Sequence, residues 1–156
     1  MSATRSIRLS RARVVLLMLL TAAACSRGEP PLPATLDVSR AFVVIPAGES
    51  PGALYATFTN TTREADTLRA VELAPGTVML HGPMPAMAIL EAIPVAAGAS
   101  ERLAPGGRHG MITGLGPLAR GDSLSVIFRF ARSGTVAVKA RVIAYADVDT
   151  AAPPVR

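Results

Sequence analysis

Residues 123–143 limit the folds open to this chain more than any other stretch. In the first half, Leu124, Val126, Phe128 and Phe130 alternate with Ser125, Ile127 and Arg129. Ser133-Gly134 makes a turn, and beyond it Val136, Val138, Ala140 and Val142 alternate with Lys139 and Arg141. A period of two places each apolar set on one face of an extended strand. Two such runs joined by a tight turn predict a hairpin with one buried face.

The rest of the chain follows the same rule. Leu54, Ala56 and Phe58 alternate with Tyr55, Thr57 and Thr59 over 52–60. Further extended runs are read at 36–45, 66–73, 77–81, 87–95, 99–103 and 108–115. All thirteen glycines and all thirteen prolines follow Cys25, and within the domain they cluster between these runs. No segment of helical length after residue 24 carries an apolar stripe of helical period. Seven to nine short strands with intervening turns predict an all-β domain, an antiparallel β-sandwich or barrel over 36–143. Residues 144–156 read as a loose tail.

The N-terminal segment has another character. Arg5, Arg8, Arg11 and Arg13 precede the apolar run 14–20, and small residues 21–24 lead to Cys25. That run is shorter than a membrane span, so residues 1–24 read as a cleaved export signal. Cys25 is the sole cysteine, which excludes an intramolecular disulfide. Its position directly after a small-residue cleavage site resembles a bacterial lipoprotein box. The expectation is lipidation of Cys25, exposure on the periplasmic or cell-surface side, and a membrane anchor that does not span the bilayer. Residues 25–35, with Pro30, Pro31 and Pro33, read as a flexible, extended tether.

The leader also explains the charge. Of sixteen Lys and Arg in the chain, four lie before residue 25, leaving twelve against eleven acidic residues. The mature domain is close to neutral, which gives no electrostatic case for nucleic acid as a partner.

The chemistry concentrates in residues 79–111. Both histidines, His81 and His109, fall there, with four of the six methionines, Met79, Met84, Met87 and Met111. In His109-Gly110-Met111 the outer residues are two apart, so on a strand they share a face, roughly 6–7 Å apart at the backbone. His81 and Met87 flank a tight loop, Gly82-Pro83-Met84-Pro85-Ala86, and can supply the other half of a site. Two imidazoles and two thioethers suit a soft monovalent metal, which makes Cu(I) the expected cargo. No Asp or Glu occurs between Glu72 and Glu91 or between Glu101 and Asp122, which argues against Ca²⁺ and Mg²⁺. Zinc prefers thiolate, imidazole and carboxylate, and only imidazole is on offer. Met84 is a reserve ligand, and Met79 reads as ordinary core packing.

Two rival readings use the same residues differently. A metal-free β-sandwich adhesion or assembly lipoprotein would give the histidines no special role. A hydrolase would need a nucleophile or an orienting carboxylate near a histidine, and neither is visible in the window. The domain is therefore read as a carrier rather than an enzyme.

The spacing also resembles a known family. The exported copper chaperones called PCu(A)C carry a histidine, a downstream methionine, 21 intervening residues and then His-x-Met. Here residues 88–108 separate Met87 from His109-Gly110-Met111, a gap of 21 residues. Val38-Ser39-Arg40-Ala41 resembles the family's opening strand. The run Ala53-Leu54-Tyr55-Ala56-Thr57-Phe58-Thr59-Asn60 resembles its GA-x-Y-x-x-x-x-N stretch. Leu103-Ala104-Pro105-Gly106-Gly107-Arg108-His109 is similar to its L-x-PGG-x-H turn, followed by Gly114-Leu115. The segment between His81 and Met87 is shorter than usual, and Gly110 stands where a large apolar residue is common. The resemblance implies a cupredoxin-like Greek-key sandwich with His81, Met87, His109 and Met111 on Cu(I). It further implies transfer to a copper-accepting protein, such as a Sco-type protein or a cytochrome c oxidase subunit, toward the oxidase's dinuclear copper centre.

Overall fold

The structure, a computed structural model, describes residues 34–45 and 51–151. The expected leader, Cys25, nearly all of the tether, the turn at 46–48 and residues 152–156 lie outside them. The described residues all belong to one unit, which begins at Pro33.

Among the described residues nine strands form in chain order: β1 (Leu36–Ile45), β2 (Gly52–Asn60), β3 (Asp66–Leu73), β4 (Thr77–His81), β5 (Ile93–Val95), β6 (Ser100–Leu103), β7 (His109–Thr113), β8 (Ser123–Phe130) and β9 (Gly134–Ala144). They hydrogen-bond in the order β4-β7-β2-β1-β9-β8-β3-β5, with β6 also on β2. Strand β3 approaches β4 and β5 approaches β6, so the sheet curls on itself into a sandwich. Every pairing along the path is antiparallel except that of β1 with β9, which is parallel from Phe42↔Arg141 to Ile45↔Ala144. A bulge between Ser39 and Phe42, with Arg40 at a φ of 50°, separates this second half of β1 from the first.

The alternation read from sequence sets the core. Leu54, Ala56 and Phe58 of β2 face Val126, Phe128 and Phe130 of β8, all buried. The Phe58 ring meets Phe128 and Phe130 edge-on at 5.3 and 5.7 Å. Two buried polar residues fasten loops to this core. Asn60 donates its amide to the Glu64 and Val95 carbonyls and accepts from the Thr62 N–H and hydroxyl. The Asp66 carboxylate accepts the N–H groups of Thr67, Arg132 and Ser133. Burial alone would raise the Asp66 carboxyl, but these bonds and the Ser133 hydroxyl outweigh it and hold it below the usual carboxylate range.

Two segments differ from the sequence reading. The run expected to be extended over 87–95 pairs as a strand only at Ile93–Val95, apart from one isolated bridge from Ile89 to His81. Met87 adopts a left-handed φ of 45°, which turns the chain where that run should begin. Part of the segment expected as a loose tail folds. Tyr145–Asp147 form a 3-10 turn, and Val148–Ala151 a short helix, α1. Val148 is buried with Val44 and Ile143 in a second small cluster flanked by Phe42, Ala53 and Tyr55. Among the described residues no helix is long and apolar enough to cross a membrane.

Candidate metal centre

Strands β4 and β7 bring the predicted residues together by register. His81 stands opposite His109, and Met79 opposite Met111. Opposed residues of an antiparallel pair share a face, so all four side chains leave the same side of the sheet. Leu80 and Ile112, on the other face, are buried in the core. Gly110 belongs to that inner face. A Cβ there would lie 2.9 Å from Val78 Cγ1 of β4 and 3.1 Å from Leu54 Cβ of β2, so the flanking strands leave no room for a side chain. This accounts for glycine inside His-x-Met.

The short loop after β4 folds back over His81. Gly82 N–H donates to the Ala88 carbonyl at 2.7 Å, and Leu90 N–H to the Leu80 carbonyl at 2.8 Å. Met87 N–H closes on the Pro83 carbonyl at 3.2 Å. Met84 N–H donates to the Gly106 carbonyl at 3.2 Å, which links this loop to the turn before His109. That turn is closed by Ala104 N–H on the Arg108 carbonyl and by Gly107 N–H on the Ala104 carbonyl. Arg108 also pairs with Glu101 of β6 at 2.7 Å.

Each histidine is held the same way. His81 Nδ1 lies 3.0 Å from the Met87 carbonyl oxygen, and His109 Nδ1 lies 3.0 Å from the Gly107 carbonyl oxygen. A carbonyl only accepts, so in each ring Nδ1 is the donor, and a neutral imidazole held this way presents the lone pair of Nε2. Metal-binding imidazoles are oriented this way, through the ring nitrogen that does not coordinate. The two rings stack 5.7 Å apart, 21° from parallel. His81 is buried, and its Nε2 has no hydrogen-bond partner. A buried nitrogen left bare costs stability unless something occupies it.

An open cleft of about 620 Å³ gathers the remaining donors. Met84, Met87, His109 and Met111 line it, with Tyr55 of β2 and Tyr145 and Asp149 of the C-terminal turn. Burial pushes the Tyr55 hydroxyl above its ordinary pKa, and Tyr145 adds to this, so Tyr55 stays neutral beside the cleft. Among the described residues no three His, Cys, Asp or Glu side chains converge into a metal site. Beside the one imidazole of His109, the cleft offers the thioethers of Met84, Met87 and Met111.

His81, Met87, His109 and Met111 thus come from β4, β7 and the loop between β4 and β5 to one end of the domain. Met84 borders the cleft and is 58% exposed. Met79 departs from the packing expected of it, being 36% exposed on the histidine face. The sequence carried the signal, because residues 79 and 81 share a strand face by the rule that pairs 109 with 111. The cleft residues Tyr145 and Asp149 had no such signal, since they lie in the segment read as a tail.

This curled β fold is that of the cupredoxin-like PCuAC domains. The chain belongs to the LpqE-like family, whose model matches residues 36–142. The description of that family is of a lipoprotein. No curated protein sequence matches the chain. Among solved structures it is similar to the copper-bound PCuAC domain from PmoF2, with 24% identity and a TM-score of 0.63, covering 70% of this chain and 93% of that one. It is also similar to the apo PCuAC domain from PmoF1, with 24% identity and a TM-score of 0.64, covering 70% and 94%. The solution structure of Cu(I)-DR1885 from Deinococcus radiodurans shares 25% identity at a TM-score of 0.60, covering 78% and 85%.

Proposed function

We propose that the domain binds Cu(I) through His81, Met87, His109 and Met111 and acts as a copper chaperone outside the cytoplasm. The observation that carries this reading is the bare, buried Nε2 of His81, stacked beside a second ring held through Nδ1 in the same way. Met87 and Met111 supply sulfur from the loop and from β7, and Met84 is in reserve. The four ligands are neutral, so a monovalent ion is held without surplus negative charge. The copper-bound PCuAC domain and the Cu(I) form of DR1885, which share the fold, support the choice of metal.

Binding and transfer, not catalysis, is the activity. Thioethers hold Cu(I) yet can be replaced one at a time by an acceptor's donors. The acceptor is a copper-receiving protein of the Sco or cytochrome c oxidase type, with delivery toward the dinuclear copper centre. Residues 1–24 direct export, Cys25 takes the lipid, and residues 25–35 tether the copper-binding domain to the membrane face.

The test is Cu(I) competition against a chromophoric chelator on the full chain, with sulfur ligands counted by X-ray absorption. Retention of wild-type affinity by the Met87→Ala, Met111→Ala double variant rejects the reading. Mass analysis of the exported chain tests lipidation, and Cys25→Ser should release the protein from membranes.

A further inference from the structure

Besides Met84 of the loop, Met79 is the sulfur among the described residues near the histidines that the four-ligand site leaves unused. It stands directly opposite Met111 in the β4–β7 ladder and two residues from His81 on the same strand. Strand order places it on the far side of Met111 from the cleft. The cleft walls come from β2, β7, the loop, the turn before β7 and the C-terminal turn, and none from β4, which ends the sheet path. Met79 is 36% exposed, whereas the Leu80 side chain beside it is buried. Core packing therefore does not explain the residue. The other exposed large apolar residues among those described border the same region: Ile89 bridges to His81, and Met84 and Tyr145 line the cleft.

We infer that Met79 is an exchange ligand: a partly exposed thioether on β4, the last strand of the sheet path, that takes Cu(I) alongside Met111 while the ion passes between the four-ligand site and a partner. The inference rests on the Cu(I) site proposed above. The step is a ligand substitution. One Cu–S dative bond to Met79 forms as one dative bond to a site ligand breaks. The copper stays Cu(I), and neither an electron nor a proton moves. Two opposed residues of an antiparallel pair have Cβ atoms about 4.5–5.5 Å apart, within the span of two methionine side chains on one ion. Two imidazoles and two thioethers would complete the resting set proposed above, which leaves Met79 the role of exchange.

The experiment compares the full-length, Cu(I)-loaded protein with its Met79→Leu variant, which keeps the apolar bulk and removes only the sulfur. Equilibrium affinity is read by competition with a chromophoric Cu(I) chelator, and release by rapid mixing with excess chelator. Affinity is expected to stay within about twofold. Release is expected to slow about tenfold. Ile89→Ala, which alters a neighbouring exposed apolar residue without sulfur, should release copper at the wild-type rate. Equal release from wild type and Met79→Leu overturns the inference. So does a tenfold loss of affinity in Met79→Leu, which would make Met79 a resting ligand. Failure of the wild-type chain to take up Cu(I) is read separately, in the first titration, and removes the parent reading.

Discussion

The imidazole rings of His81 and His109 face each other across one rung of the β4–β7 ladder, 5.7 Å between centres. Neither ring is oriented by a carboxylate. Both are oriented by main-chain carbonyls, of Met87 and Gly107. The pair is thus set by the path of the backbone, and several outcomes depend on it.

Cu(I) should raise the melting temperature of the full chain, and a chelator should reverse the gain. A ligand that binds only the folded state adds about 2.7 kcal/mol at a hundred times its Kd. His109→Ala should lose most of this shift while melting near wild type without copper, since the ring is only half-buried. Acid should weaken the effect, because protonated imidazole cannot coordinate. Scanning calorimetry with and without Cu(I) checks both statements.

Met87→Gly separates folding from binding. Met87 holds a φ of 45°, which glycine adopts without steric cost. Its structural bonds run through backbone atoms that glycine keeps. The variant should match or exceed wild-type stability in urea and lose Cu(I) affinity by about tenfold or more. Loss of stability with copper affinity unchanged would contradict the roles given to both the backbone and the sulfur.

Gly110→Leu should fail for steric reasons. The added side chain on β7 meets Val78 of β4 on one side and Leu54 of β2 on the other. Overpacking of this kind costs about 1–3 kcal/mol. Because the same strands carry both histidines, copper affinity should fall with stability, measured by urea unfolding and chelator competition.

Asp66→Asn tests a site remote from the copper ligands. The Asp66 carboxyl is held below its ordinary range, so the folded state binds its proton less readily than the unfolded chain. Its contribution is full above the unfolded carboxyl pKa and is lost as pH falls toward the folded value. Asn keeps one acceptor oxygen but not the charge. The variant should be less stable at neutral pH by about 1–3 kcal/mol, with a shallower loss of stability in acid. Urea midpoints across an acid series check the slope.

Much of the fold was legible because alternation over 52–60 and 123–143 maps directly onto buried and exposed faces. The bend at β1 was not, since nothing in Ser39-Arg40-Ala41 announces a bulge, nor does it announce a parallel partner a hundred residues on. Residues 87–95 misled because apolar content was read as strand, while a left-handed Met87 makes a turn. At the site, the spacing of His109 and Met111 revealed their common face. Met79 reads as core because a lone methionine in a strand usually is, although its two-residue spacing from His81 already puts it on the histidine face, where the register with Met111 holds it. The role of Val148 against Val44 and Ile143 depends on long-range packing that leaves no local pattern.

A ring held by a main-chain oxygen has an unusual freedom. Whatever amino acid occupies position 87 or 107, its carbonyl oxygen remains, so long as the chain follows the same curve. Neighbouring side chains can drift between relatives without altering which nitrogen is presented to an incoming ion. The imprint to seek in distant kin is therefore the shape of two short loops, not a retained acidic partner.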